Sequence, residues 1–324
     1  MILVGTQDFG PARYLYELTN SHKSEFSWIY SSSLAEFFRE NKIVTISKWN
    51  NLKNVKLVVT GTCLQEGTDK NLLIWAKKNK IPSVSCIDHW TLFKERFKLK
   101  NKLIYPDYII LNDKIALKLA IDEGLPRNKL FVKGNPVIEK LLSSKKSIIS
   151  NKNINKKKRK ILFISESLNY FKKDSYLYKG YTEYQVLQIL INSLSSFDSI
   201  TVKKHPSERK NKYISIMKTH GLKETKISNP KNLIKHFDIF VGMESMLLIQ
   251  LSFMTSNTIS LRPDAKKDFF ASKIGLINKA ETKEDLQKLL KSSFTEQKIK
   301  SDKTRNNYLQ SSKNIYNFLK KVSL

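Results

Sequence analysis

Short apolar runs alternate along this chain with longer segments whose apolar residues recur every three or four positions. In the first half the runs at 2–5 (ILVG), 26–30 (FSWIY), 56–61 (KLVVTG), 82–88 (PSVSCID), 107–112 (DYIILN) and 129–134 (KLFVKG) read as strands. The spacing predicts a helix over 68–80, where Leu72, Leu73 and Ala76 share a face. Strand and helix in alternation imply a parallel sheet with right-handed crossovers, so the first half is a Rossmann-like α/β unit.

The pattern stops at 145–160, where eight basic residues and no acidic ones lie without apolar periodicity, the composition of a solvated linker. It then restarts. Runs at 160–165 (KILFIS), 199–204 (SITVKK), 238–242 (DIFVG), 257–261 (NTISL) and 274–278 (IGLIN) read as strands, with helices near 181–195, 209–220, 244–254 and 282–292. The expected fold class is α/β, two Rossmann-like domains facing a central cleft. The expected domains are 1–140, a basic linker at 141–160, a second domain at 161–295 and a terminal helix in 296–324 that packs back on the first domain.

Charge adds a question about partners. Lys and Arg total 58 against 29 Asp and Glu, a net charge of +29. Abundant Lys, Asn, Ile and Ser with scarce Arg is the pattern of an AT-rich genome, which accounts for most of the excess. The remainder is consistent with attraction to an anionic membrane face or to nucleotide phosphates. Cys63 and Cys86 have neither CxxC spacing nor a disulfide framework, which fits a reducing cytoplasm. No apolar run approaches the ~20 residues of a membrane span, and the first residues do not read as an export signal.

Ligands of open parallel sheets bind beyond the carboxyl ends of the strands. In the second half this rule selects Ser165 and Glu166, then Lys204, His205 and Pro206, then Gly242, Glu244, Ser245 and Met246, then Arg262. Ser245 at a helix start can donate to a phosphate, Glu244 suits a pair of ribose hydroxyls, and His205 beside Pro206 can donate to a phosphate oxygen. His205 and Ser245 are expected to meet one phosphate from neighbouring strand ends.

With those residues in place, ILFISESLNYF, YKGYTEYQVLQIL, VKKHPSE and VGMESMLLIQ, within 160–265, resemble bacterial sialyltransferase and polysialyltransferase-like proteins of surface-carbohydrate synthesis, GT-B glycosyltransferases. VKGNPVIEKL (132–141) is similar to the segment that ends the first domain in these proteins and in nucleotide-sugar 2-epimerases. The resemblance implies a nucleotide-sugar donor with His205, Pro206 and Ser245 at its phosphate, and a glycan or lipid-linked acceptor. It also implies transfer of a sugar such as an ulosonic acid in the cytoplasm or peripherally at an anionic inner membrane. The acidic D/E-D/E-G motif of those proteins has one literal match, Asp122-Glu123-Gly124, placed like a helix C-terminus with Gly124 as its C′ residue.

Sugar transfer needs a base near the acceptor hydroxyl and donors on the leaving phosphate. First-half loops offer Asp8, Glu66 with Asp69, and Asp88 with His89 and Arg96 as acid–base groups, while Lys204, His205 and Arg262 suit the leaving phosphate. No metal motif and no Walker lysine motif occurs, so no metal or cofactor is expected beyond the donor. The principal expectation is therefore a metal-independent glycosyltransferase. A nucleotide-sugar 2-epimerase or hydrolase on the same scaffold is the enzymatic alternative. A basic nucleic-acid-binding protein is the alternative of another class, opposed by the absence of any RRM, KH, zinc-finger or helix-turn-helix signature.

Overall fold

The computed structural model describes residues 1–49, 51–143, 158–168, 178–291 and 307–323. They form two compact units, Met1–Ser143 with the C-terminal segment, and Ser144–Asp302.

The first unit is built on a seven-stranded sheet: β1 (Ile2–Gly5), β2 (Phe26–Ile29), β3 (Thr45–Ile46), β4 (Leu57–Thr60), β5 (Ser83–Cys86), β8 (Tyr108–Leu111) and β9 (Leu130–Val132). β6 (Lys98–Leu99) and β7 (Lys102–Leu103) form a separate antiparallel hairpin. The order is β3-β2-β1-β4-β5-β8-β9, and every pair in the sheet is parallel. β1, β4 and β5 are buried along their whole length, as strands covered on both faces must be, which is why β1 and β4 read as near-continuous apolar runs instead of alternations.

The C-terminal helix (Ser311–Val322) belongs to this unit. Ile315 and Leu319 enter the same core as Leu15, Leu18 and Val137, and Phe318 meets Tyr108 edge-on at 5.5 Å. Polar anchors fix it: Tyr308 donates to Asp113 Oδ2 (2.5 Å) and Ser312 Oγ to Glu139 (2.6 Å). The segment at 132–141 is its seat. Asn135 N donates to Ser311 Oγ at 2.9 Å, while Asn135 Oδ1 accepts from Val137 and Ile138 to start the helix Pro136–Ser143.

The second unit holds β10 (Lys160–Ile164), β11 (Ser199–Lys203), β12 (Lys223–Glu224), β13 (Ile239–Gly242), β14 (Thr258–Leu261) and β15 (Asn278–Ala280), in the order β12-β11-β10-β13-β14-β15, all parallel. The chain leaves central β10 in one direction, returns, and continues from β13 in the other. The topological switch point therefore lies between the ends of β10 and β13, as it lies between β1 and β4 in the first unit. Thr182 and Gln185 form a capping box on the helix Glu183–Ser193, whose Val186, Leu187 and Leu190 share a core with Leu286 and Leu290 of the helix Lys283–Lys291.

Several sequence expectations need correction. The run at 274–278 is not a strand: a short helix, Phe270–Lys273, ends in Gly275 at φ +71°, and β15 begins only at Asn278. The last described helix before the linker is Pro136–Ser143, and β10 starts at Lys160. The rest of the basic linker, 144–157, and the stretch 292–306 lie outside the described residues. At Asp122-Glu123-Gly124 the expectation holds: the helix Lys114–Asp122 ends in a Schellman motif, with Gly124 as C′ residue at φ +84° and Leu125 N bonded to Ala120 O.

Candidate functional site

Both sheets present their polar residues at the carboxyl ends of the strands. In the second unit the edge carries Ser165 and Glu166 after β10, Lys204 and His205 after β11, Glu244 and Ser245 after β13, and Arg262 after β14. β10 stands between β11 and β13, so His205 and Ser245 do not come from neighbouring strand ends, which corrects that expectation.

His205 is exposed, and its ring is oriented by its own loop. The backbone N–H of Ser207 donates to Nδ1 at 3.2 Å, and the Ser207 hydroxyl lies 2.7 Å from the same nitrogen. A backbone N–H can only donate, so in the neutral ring Nδ1 accepts and the proton resides on Nε2. The imidazole pKa is lowered, first by crowding that strips part of its hydration and then by Lys203 and Lys212, with Glu208 opposing. Pro206, exposed beside it, fixes the backbone of the turn.

The turn after β13 is already occupied. Glu166 accepts from the backbone N–H of Glu244 at 2.5 Å and from that of Ser245. Its carboxyl is pushed up to about 7 by burial and by the neighbouring Glu244. The amides expected to meet a phosphate are thus satisfied by an internal carboxylate. The Ser245 hydroxyl caps the helix Met246–Ser252, which Met246 opens, by accepting from Leu248 N at 3.2 Å; this uses an acceptor lone pair and leaves its O–H as a donor. Gly242 serves packing: a Cβ there would lie 3.2 Å from Ile164 O and 3.3 Å from Ile164 Cβ.

Glu244 is buried and held from three sides: by Lys179 Nζ at 2.9 Å, Arg262 Nε at 3.3 Å and the Tyr181 hydroxyl at 3.4 Å. Arg262 also lies over the Phe269 ring, 5.6 Å from its centroid, and donates to Lys267 O. It lines a cavity of about 230 Å³ with Ser260, Phe269, Ser272, Lys273 and Lys279. Lys204 is turned to Glu224 on β12 at 3.0 Å and to Lys210 O. Ser165 is internal, donating to Glu208 at 2.7 Å. Of Lys204, His205 and Arg262, the side chains expected at a leaving phosphate, Lys204 and Arg262 are ion-paired to Glu224 and Glu244, whereas His205 makes no side-chain hydrogen bond outside its own loop among the described residues.

The first unit gathers carboxylates. Asp88 follows β5 and is buried, its Oδ1 making no hydrogen bond among the described residues and lying 4.0 Å from Arg96 Nη1. Burial pushes its carboxyl up while Arg96 pulls it down less strongly. Asp8 stands at the N-cap of the helix Phe9–Thr19 without using its side chain as a cap. Its carboxyl is raised by partial desolvation and by Asp69 and Asp88, with Arg96 and Lys70 opposing. Gly10 allows the approach, since a Cβ there would fall 2.9 Å from Asp88 Oδ2. Asp69 is buried and bonded to Cys63, accepting from its N at 3.1 Å and its Sγ at 2.7 Å, and its carboxyl too is raised by burial. His89 is half-buried with Nδ1 3.1 Å from the Thr91 hydroxyl. Glu66 is exposed, apart from this group of interacting charges. Among the described residues no cluster of His, Cys, Asp and Glu is arranged to hold a metal ion, and no helix is long and apolar enough to cross a membrane.

Sequence reasoning missed the internal roles of Lys179, Tyr181, Glu208 and Lys212. Only the late position of Glu208 in the HPSE turn hinted at one.

Two Rossmann-order units in one chain are the two-domain GT-B fold. No protein-family model matches the sequence, and no curated protein is significantly similar to it. Solved structures are similar over almost the whole chain. The UDP-GlcNAc 2-epimerase from Methanocaldococcus jannaschii is 13% identical, with 99% of each chain covered and a TM-score of 0.62. The S. aureus MnaA–UDP co-structure is 12% identical over 98% of this chain and 95% of that one, with a TM-score of 0.66. Anabaena HepE in complex with UDP is 10% identical over 99% and 98%, with a TM-score of 0.60. At these identities the likeness establishes the fold.

Proposed function

We propose that the chain is a nucleotide-sugar enzyme of the 2-epimerase or hydrolase kind, acting on the bond between a sugar and a nucleoside diphosphate. The observation that carries this reading is the likeness, over 99% of both chains, to a UDP-GlcNAc 2-epimerase. In this reading the second unit holds the nucleotide and the first carries the acid–base groups. Breaking the sugar–phosphate bond leaves charge on a diphosphate oxygen, and the Nε2–H of His205 is the donor that meets it. Asp88 and Asp8, whose carboxyls ionise at higher pH than usual, take a proton from the sugar and return it.

A second reading, sugar transfer to a glycan or lipid-linked acceptor, is supported by the segments within 160–265 that resemble sialyltransferase-like proteins and by the Asp88–His89 pair at the end of β5. Peripheral attachment to an anionic membrane belongs to that reading. Incubation with UDP-GlcNAc and with CMP-linked and other UDP- and GDP-linked sugars, without any acceptor, separates the two. A C2-epimer or free nucleotide seen by proton NMR supports the first. Consumption only when a glycan acceptor is added supports the second, and an inert panel under both conditions overturns both.

A further inference from the structure

The loop bearing His205 is tied to the interior of the second unit through one side chain. Glu208 Oε2 accepts from the backbone N–H of His205 at 2.8 Å, and the backbone N–H of Glu208 returns a bond to His205 O at 3.0 Å. Its other oxygen accepts from the Ser165 hydroxyl at 2.7 Å and from Lys212 Nζ at 2.5 Å. Lys212 is itself bonded to Glu183 in the unit's interior and lies over the rings of Tyr184 and Tyr213. The side chains of Glu183, Glu208 and Lys212 are 0%, 1% and 6% exposed, so this is a buried triad at the base of an exposed loop.

Such a triad is a poor way to gain stability. Desolvating three charges costs about as much as their attraction returns, and apolar replacements of similar shape are often neutral or better. A loop that only had to turn would need no more than Pro206 and Ser207. What the triad does provide is a fixed position for the residues bonded to it.

We propose that Glu208 is the positioning residue for His205, holding the turn 205–208 so that Ser207 N–H stays on Nδ1 and Nε2–H is presented outward as a hydrogen-bond donor. This rests on the reading that His205 meets a nucleotide phosphate. The charged groups that act on the imidazole are Glu208, Lys203 and Lys212. Glu208 acts through His205 and touches no ligand, so its effect exists only while the imidazole is there.

The test uses the full chain, UDP as the probe for calorimetry, and 15N-imidazole NMR. In the wild-type protein the nitrogen shifts of His205 should report the Nε2-protonated form. Glu208→Gln should lower UDP affinity about tenfold, a loss of ~1.4 kcal/mol, produce a mixture of tautomers, and move the His205 titration to lower pH because an anion has been removed. In the His205→Ala background the same substitution should cost no further affinity. The proposal is overturned if wild-type His205 is protonated on Nδ1, if E208Q leaves affinity and spectrum unchanged, or if E208Q weakens binding equally with and without His205. Should E208Q fail to fold, the wild-type tautomer and Lys212→Gln, expected to have the same spectral effect, carry the decision. If His205→Ala binds UDP like wild type, the phosphate role is lost while the tautomer and titration data still decide the positioning.

Discussion

A carboxyl that is buried and crowds a second carboxylate resists ionisation, and Glu166 does both, outweighing the two backbone amides that favour its charged form. Its folded-state pKa of about 7 lies above the unfolded glutamate value of about 4.3. A group raised in this way contributes stability that is fully present below the unfolded value and lost as pH rises through the folded one. Glu166→Gln keeps the acceptor oxygen and cannot ionise, so its stabilising effect should grow between pH ~4.3 and about 7, as measured by denaturant unfolding at several pH values. A gain that shrinks with rising pH would contradict the assignment. Ser245 makes a second residue-scale prediction: as an N-cap, Ser245→Ala should cost about 1 kcal/mol of stability with little effect on nucleotide affinity. Asp88→Asn should cut turnover while leaving nucleotide affinity nearly unchanged. Because the ionised carboxyl is disfavoured by burial, the variant should also be more stable than wild type at neutral pH. His205 could be singled out as a candidate from its type and its place after a strand. The commitments of Glu166 and Arg262 were not legible, because both are set by Glu244, distant in sequence from each, whereas the cap that Ser245 places on Leu248 is local.

At the scale of elements, the seat of the C-terminal helix turns on one glycine. Gly134 has φ +104°, and a Cβ there would run into Ser311. Gly134→Ala therefore combines backbone strain with a clash and should destabilise by roughly 1–3 kcal/mol, and limited proteolysis should release the segment after 307 earlier than in wild type. Protection equal to wild type would show that this glycine does not govern the docking. The long buried strands were readable because parallel strands covered on both faces are continuous apolar runs, as in LVVT of β4. β3 and β12 were not: each has two residues at a sheet edge, and those of β12 are an exposed Lys and Glu with no apolar signal. The run at 274–278 misled because Ile277 is buried as part of a helix-to-strand connection, not by strand pairing.

At the scale of the whole molecule, two sheets of the same strand order place their candidate residues by one rule, and the sequence carries that rule twice. The net charge of +29 is a separate, diffuse property. Any binding to anionic vesicles that arises from it should vanish at moderately raised salt, where screening shortens below ~10 Å, while nucleotide binding persists. Vesicle binding that survives such salt would point to a specific lipid contact. The central claim is that the carboxyl edge of the second sheet binds a nucleoside diphosphate through His205. Thermal unfolding with and without the diphosphate, in wild type and His205→Ala, tests it most directly. At about 100 times its dissociation constant the ligand should stabilise wild type by roughly 2.7 kcal/mol. At the same concentration most of that gain should be absent from the variant, through the loss of a charge-assisted hydrogen bond worth about 1.5–3 kcal/mol. Equal stabilisation of both proteins, or none of either, would contradict the account.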